Sequence, residues 1–185
     1  MDTTHERLLD AAATLFYAEG VTATGVDAVV RAAGVTKPTL YAQFGSKAGL
    51  VAAVLERRHA SRRRELETWL GGAEPAERPL AVFDWLSQWY GQDGARGCAF
   101  LNAAAELPEP DSPGRAVVSA EKAWLQELLV DACGAAGCPD PRLVGSQLLL
   151  LVDGVAGRAV VGGAEAARSA VVDARAAAAV LVGAR

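Results

Sequence analysis

Apolar residues recur along this chain at spacings of three and four, the period of α-helices that each bury one face. Leu8, Leu9, Ala12, Leu15 and Phe16 form the first stripe. They predict a helix over about residues 4–19, opened by a Thr3–Glu6 capping box and stopped at Gly20. Val26, Val29, Val30 and Ala33 predict a second helix, with Thr24 and Asp27 as its capping box and Gly34 as its C-terminal stop. A very short third helix follows, with Thr36 as cap and Pro38 in its first turn. Its Leu40 and Phe44 are four apart and point inward, which leaves Lys37, Thr39, Tyr41 and Gln43 outside. Ser46 caps a fourth helix that runs through Leu50, Val51, Val54 and Leu55 to about Leu70. At ~1.5 Å per residue it is roughly 35 Å long.

The rest of the chain reads as helix too. Gly71–Pro79 is a linker. Helix 5, about Pro79–Tyr90, is apolar or aromatic on most sides, as expected of a helix surrounded by protein or lining a cavity. A loop over Gly91–Gly97 leads to helix 6, Cys98–Leu107. Ser112-Pro113 opens helix 7, which reaches about Cys133 with Val117, Ala120, Trp124 and Leu128 on one side. Asp140-Pro141 opens helix 8 (about 141–161), and Gly162-Gly163 separates it from helix 9 (about 164–182). The class is all-α, with about nine helices. Apolar residues occur on more than one face of helix 8, so a partner is expected to cover one of them.

Composition narrows the chemistry. The 185 residues hold three cysteines and two histidines, too few for a disulfide framework and a poor supply for a zinc site or a Ser-His-Asp triad. No metal, cofactor or catalytic constellation is expected, and the chain does not read as an enzyme. The N-terminus lacks a signal-peptide pattern, and Arg158 and Glu165 interrupt the longest apolar run, so a cytoplasmic protein with no membrane partner is expected. Net charge is −4, but it is unevenly spread. Residues 1–64 carry nine Lys and Arg against six Asp and Glu, a net of +3, while residues 65–185 carry nine against sixteen, a net of −7. A basic end on an acidic body turns that end toward a polyanion.

The basic end holds the most specific signal. Val26–Ala33, the Gly34 turn and the short helix after it have the helix-turn-helix pattern, whose second helix enters the DNA major groove. Four words stand in order: Ala13-Thr14-Leu15-Phe16-Tyr17-Ala18-Glu19-Gly20, Thr22-Ala23-Thr24-Gly25-Val26, Ala32-Ala33-Gly34-Val35-Thr36, and Thr39-Leu40-Tyr41-Ala42-Gln43-Phe44-Gly45-Ser46-Lys47. Over residues 8–55 the chain resembles the DNA-binding domain of the tetracycline-repressor (TetR) family of bacterial transcription regulators. Gln43 departs from the family, which commonly has His before the Phe; Gln still bonds a phosphate or an adenine edge. Gly97–Glu106 resembles a segment from the ligand-binding half of many members.

The resemblance implies a three-helix DNA-binding domain at 1–46, a connecting helix at about 46–70 and a helical ligand-binding and dimerisation domain at 71–185. It implies a homodimeric regulator, most simply a repressor on a palindromic double-stranded DNA operator, released when a small-molecule effector shifts helix 4. Thr36, Lys37, Thr39, Tyr41, Gln43 and Lys47 are the DNA-binding candidates. Phe83, Trp85, Trp89, Cys98, Asn102 and Trp124 are the pocket candidates, with Cys98, Asn102 and Glu106 spaced four and four as one polar stripe. By periodicity alone, an ordinary core is the better reading of the same aromatics, and it is the resemblance that brings a pocket level with it. Leu148, Leu151, Val155, Val171 and Ala178 are the candidates for a dimer interface through helices 8 and 9. The Arg57–Arg64 cluster reads as a solvated face, partly paired through Glu67. The competing function is a ligand-binding or scaffolding helical dimer without sequence-specific DNA binding, which the acidic body and Gln43 favour.

Overall fold

The computed structural model describes residues 3–92 and 96–183, and every regular element among them is an α-helix. In chain order these are α1 (Thr4–Glu19), α2 (Val26–Ala33), α3 (Lys37–Phe44), α4 (Lys47–Gly71), α5 (Arg78–Gln92), α6 (Ala99–Glu106), α7 (Pro113–Ala135) and α8 (Pro141–Gly183). Part of the loop expected at Gly91–Gly97 lies outside the described residues. The α8 run holds the expected eighth and ninth helices, which a non-helical backbone at Gly163 (φ 70°, ψ −165°) separates at the expected break.

The caps follow local chemistry. Thr3 and Glu6 form the expected box, with Thr3 Oγ1 accepting from Glu6 N–H and Glu6 Oε2 accepting from Thr3 N–H. Thr36 caps α3. Ser46 Oγ accepts from Gly49 N–H at α4, and Asp140 Oδ1 accepts from Leu143 N–H at α8. Two expected caps are not made. The N-cap of α2 is Gly25 without a side-chain bond, and Thr24 is fully buried, donating instead to the Gly20 carbonyl at 2.7 Å. Its hydroxyl is used inside the α1–α2 turn. Ser112 Oγ is likewise buried and makes no cap bond; its backbone carbonyl accepts from Arg115 and Ala116.

The chain forms two compact units: Met1–Ser61 with Ala99–Glu121, and Arg62–Cys98 with Lys122–Arg185. This division differs from the expected 1–46 and 71–185. In the first unit Leu8, Ala12, Val29, Leu40, Leu50 and Phe100 are among the buried residues, so α6 packs with the N-terminal helices. The second unit has one continuous core built from α4, α5, α7 and α8, with Leu66, Phe83, Leu86, Leu125, Leu129, Leu148 and Val171 at its centre. Ion pairs cross it at Lys122–Asp153 (2.5 Å) and Arg175–Asp84 (2.6 Å). By length and composition α8 could cross a membrane, contrary to the expectation from Arg158 and Glu165. One of its faces is nevertheless committed to this core, through Val144, Leu148, Val152, Val155, Val171 and Ala178.

Candidate nucleic-acid interface

The first unit presents α3 outward. Leu40 is fully buried and holds the helix on its neighbours, while Tyr41 keeps 46% of its surface exposed. Gly34 ends α2 in the left-handed region (φ 64°), the turn that lets α3 start at an angle to α2. Gly49 sets the other side: a Cβ there would collide with the Phe44 carbonyl oxygen, so α3 and α4 close up only over a glycine. Lys37, Tyr41 and Gln43 are exposed along this helix, Thr36 is exposed at its start, and Thr39 is half-buried. A short helix with that outer face, braced by two others, has the shape and chemistry to enter a major groove.

Several of these side chains are already oriented. Lys37 pairs with Asp27 across the turn at 2.8 Å. That hydrogen bond and charge hold the lysine above its ordinary value, so it is cationic at neutral pH. Thr36 and Thr39 hydroxyls lie 2.8 Å apart. Gln43 Oε1 lies 2.8 Å from His5 Nδ1, and the His5 ring stacks on Phe44 with centroids 4.8 Å apart. Lys47 is half-buried and donates from Nζ to the Thr22 carbonyl at 3.4 Å, tying the start of α4 to the α1–α2 turn. The α4 N-terminus beside it presents backbone N–H groups suited to phosphate. The sequence pattern offers Asp27 only as a cap and gives His5 and Thr22 no site role, because each acts through a contact across the fold.

The six expected pocket residues fall in different surroundings. Phe83 is fully buried in the second core, and Cys98 is buried as well. Trp124 packs against that core from α7. Trp85 and Trp89 stack with centroids 6.4 Å apart and, with Trp69 and Arg64, line an open groove on the second unit. Asn102 lines another cleft, in the first unit, with Glu106. The aromatic spacing is thus shared between core and groove, and it does not define one cavity. Cys98, Cys133 and Cys138 are all buried free thiols.

The dimer candidates need a correction. Leu148, Val155, Val171 and Ala178 belong to the chain's own core, and Leu151 is half-buried against it. The outward stripe of α8 lies elsewhere on the helix: Leu143, Leu150, Gly154, Gly157 and Val161, spaced seven, four, three and four. Leu150 and Val161 are 70% and 85% exposed, and Gly154 and Gly157 have open space where a side chain would be. Past Gly163, Val172 and Val180 continue the exposed apolar positions. The arginine cluster is partly paired as expected through Arg63–Glu67, and Arg57 also pairs with Asp10, which helical spacing does not reveal. Arg58 lies over the Tyr17 ring and Arg62 over the Trp85 ring.

A helix-turn-helix unit with an exposed second helix, joined to a helical second unit, defines a DNA-binding regulator. The model of the bacterial regulatory proteins of the tetR family matches residues 8–54. A TetR transcriptional regulator from Streptomyces avermitilis superposes with a TM-score of 0.80 at 34% identity, over 96% of this chain and 98% of its own. The TetR-family regulator SCO4454 from Streptomyces coelicolor superposes with a TM-score of 0.87 at 29% identity, covering 95% of this chain and 93% of its own. Among curated proteins, the chain is 36% identical over 95 residues to the transcriptional repressor BdcR of Escherichia coli, 51% of this chain and 47% of that protein. It is 34% identical over 111 residues to the repressor ComR of the same organism, 56% of this chain and 50% of that protein. The chain spans about half the length of these curated relatives. It belongs to the TetR family of bacterial transcriptional regulators.

Proposed function

We propose that this chain is a homodimeric repressor that reads a palindromic operator through α3 and is released by a small-molecule effector. The observation that carries the reading is α3 itself. It is fixed by a buried Leu40 and exposes Tyr41, Lys37 and Gln43 together. Thr36, Lys37 and Thr39 at its N-terminal end read base edges, Tyr41 and Gln43 meet the backbone or an adenine, and Lys47 meets a phosphate at the start of α4. BdcR and ComR, named as repressors, support the sign of regulation.

A dimer follows from α8. Its outward stripe of Leu143, Leu150, Gly154, Gly157 and Val161 is apolar or small apart from the half-buried Gln147 within it, a composition that suits a helix seam packed against its own copy. Two α3 helices brought ~34–36 Å apart by such a dimer would enter successive major grooves on one side of B-DNA. Binding places the protein with the DNA, in the cytoplasm. The stacked Trp85 and Trp89 beside Trp69 make the groove of the second unit one place for an effector with a flat apolar surface. The α4 helix, whose Lys47 end carries the DNA face, is the element through which an effector shifts that face.

Selection of the purified chain on random duplex DNA at physiological salt tests the reading. Enrichment of a two-fold palindrome is the expected result. Retention of duplexes without any shared sequence would reject operator reading.

A further inference from the structure

We propose that His5 is a positioning residue for DNA reading: it holds the Gln43 side-chain amide with its oxygen on α1, so that Gln43 offers only N–H to the DNA and grips a phosphate rather than an adenine. This role deepens the reading by α3 and rests on it.

His5 stands in the first turn of α1 and Gln43 in the last turn of α3, and both are exposed on the first unit. Nδ1 of the imidazole lies 2.8 Å from Gln43 Oε1. An amide oxygen can only accept, so Nδ1 carries the hydrogen and donates it. The ring is held in place by the half-buried Phe44, on which it stacks at 28° with 4.8 Å between centroids. An exposed glutamine without such a partner swings among rotamers and can turn either end of its amide outward. His5 makes that choice before DNA arrives, so less side-chain freedom is lost on binding.

The orientation decides what Gln43 meets. Pairing with adenine needs the acceptor and donor ends of the amide side by side against one base edge. The acceptor end of Gln43 is committed to α1, which leaves the N–H bonds for the DNA. Its place on the helix points the same way. Base edges are read from the N-terminal end of such a helix. Gln43 lies at the other end, close in sequence to Lys47 and the start of α4. The backbone N–H groups that open α4 favour a phosphate there, and Gln43 adds a neutral donor for the same backbone.

Two variants separate the hydrogen bond from the ring. His5→Phe keeps a ring to stack on Phe44 and removes the donor, whereas His5→Asn keeps a donor in the place of Nδ1 and removes the ring. Anisotropy titrations of the full chain use a duplex recovered by selection and a scrambled duplex, and circular dichroism melting confirms that each variant is folded. His5→Phe is expected to bind both duplexes about three- to tenfold more weakly at an unchanged salt slope, and His5→Asn to stay within about twofold of the wild type. Gln43→Ala is expected to lose as much as His5→Phe, and the double variant no more than either. Wild-type binding by His5→Phe, an equal loss in His5→Asn, or additive losses overturn the positioning role. A shallower salt slope in His5→Phe makes His5 itself the phosphate contact and overturns it too. A loss confined to the selected duplex overturns the choice of phosphate over base. Without DNA, proton–nitrogen correlation spectra of the imidazoles should show neutral His5 protonated at Nδ1; a hydrogen at Nε2 overturns the contact. Weakened binding by Tyr41→Ala beside wild-type binding by His5→Phe overturns this role alone. Wild-type binding by both, or no DNA binding at all, overturns the α3 reading with it.

Discussion

Lys47 has one contact within the fold and a second, to phosphate, that is proposed. Its Nζ is held on the Thr22 carbonyl, yet it stands beside the amide N–H groups that open α4, where a phosphate is best received. Lys47→Ala is expected to weaken DNA binding for all sequences alike and to lower the slope of log affinity against log salt by about one per subunit, as measured by anisotropy across a salt series. Cys133 makes a residue-scale prediction of another kind. Burial pushes its thiol up to about 12, and the neighbouring Cys138 adds to the shift. The fold therefore keeps this thiol neutral where the unfolded chain ionises it. That share of the stability is whole below the ordinary thiol value of 9.0 and is lost as pH rises from there toward about 12. Iodoacetamide at a pH near the ordinary thiol value should leave Cys133 unmodified in the native protein and label it on unfolding, as read by mass spectrometry. Ready native labelling would contradict the burial of this thiol.

The helices were legible in the sequence because each buries one face, and helical spacing records that face directly. Leu8, Val29, Leu40 and Leu50 all stand where the pattern put them. What the pattern could not record was the use of a side chain across the fold. Thr24 sits where a cap should be, but its hydroxyl is taken by the Gly20 carbonyl. On α8, apolar residues occupy both faces, so spacing alone could not say which face is inner; Leu148 and Val155 turned out to be core, and Leu150 and Val161 outward. The aromatic spacing on α5 suffers the same ambiguity, since Phe83 fills the core while Trp85 and Trp89 border a groove. Gly49 is the element-scale test of the interface. Gly49→Ala puts a Cβ against the Phe44 carbonyl and should destabilise the protein by about 1–3 kcal/mol, with a larger loss of DNA binding than of helix content. An unchanged melting temperature would show that α3 and α4 can part at no cost.

At the scale of the molecule, charge and symmetry work together. The N-terminal residues 1–64 carry a net of +3 on a chain of net charge −4, so the acidic remainder leaves the basic end as the one that approaches DNA. The outward stripe of α8 is the proposed two-fold contact. Light scattering should give a particle of twice the 19.1 kDa chain mass, and Leu150→Glu with Val161→Glu should give the single chain mass, still helical. A dimer that survives both substitutions would place the interface elsewhere. The most direct test of the account is a titration of the wild type and Tyr41→Ala on the palindromic duplex recovered by selection, with both proteins matched for melting temperature. The account predicts one dimer per palindrome for the wild type and a loss of about tenfold or more in affinity for Tyr41→Ala. Equal binding by the two proteins would mean that the face built around α3 is not the one that meets DNA.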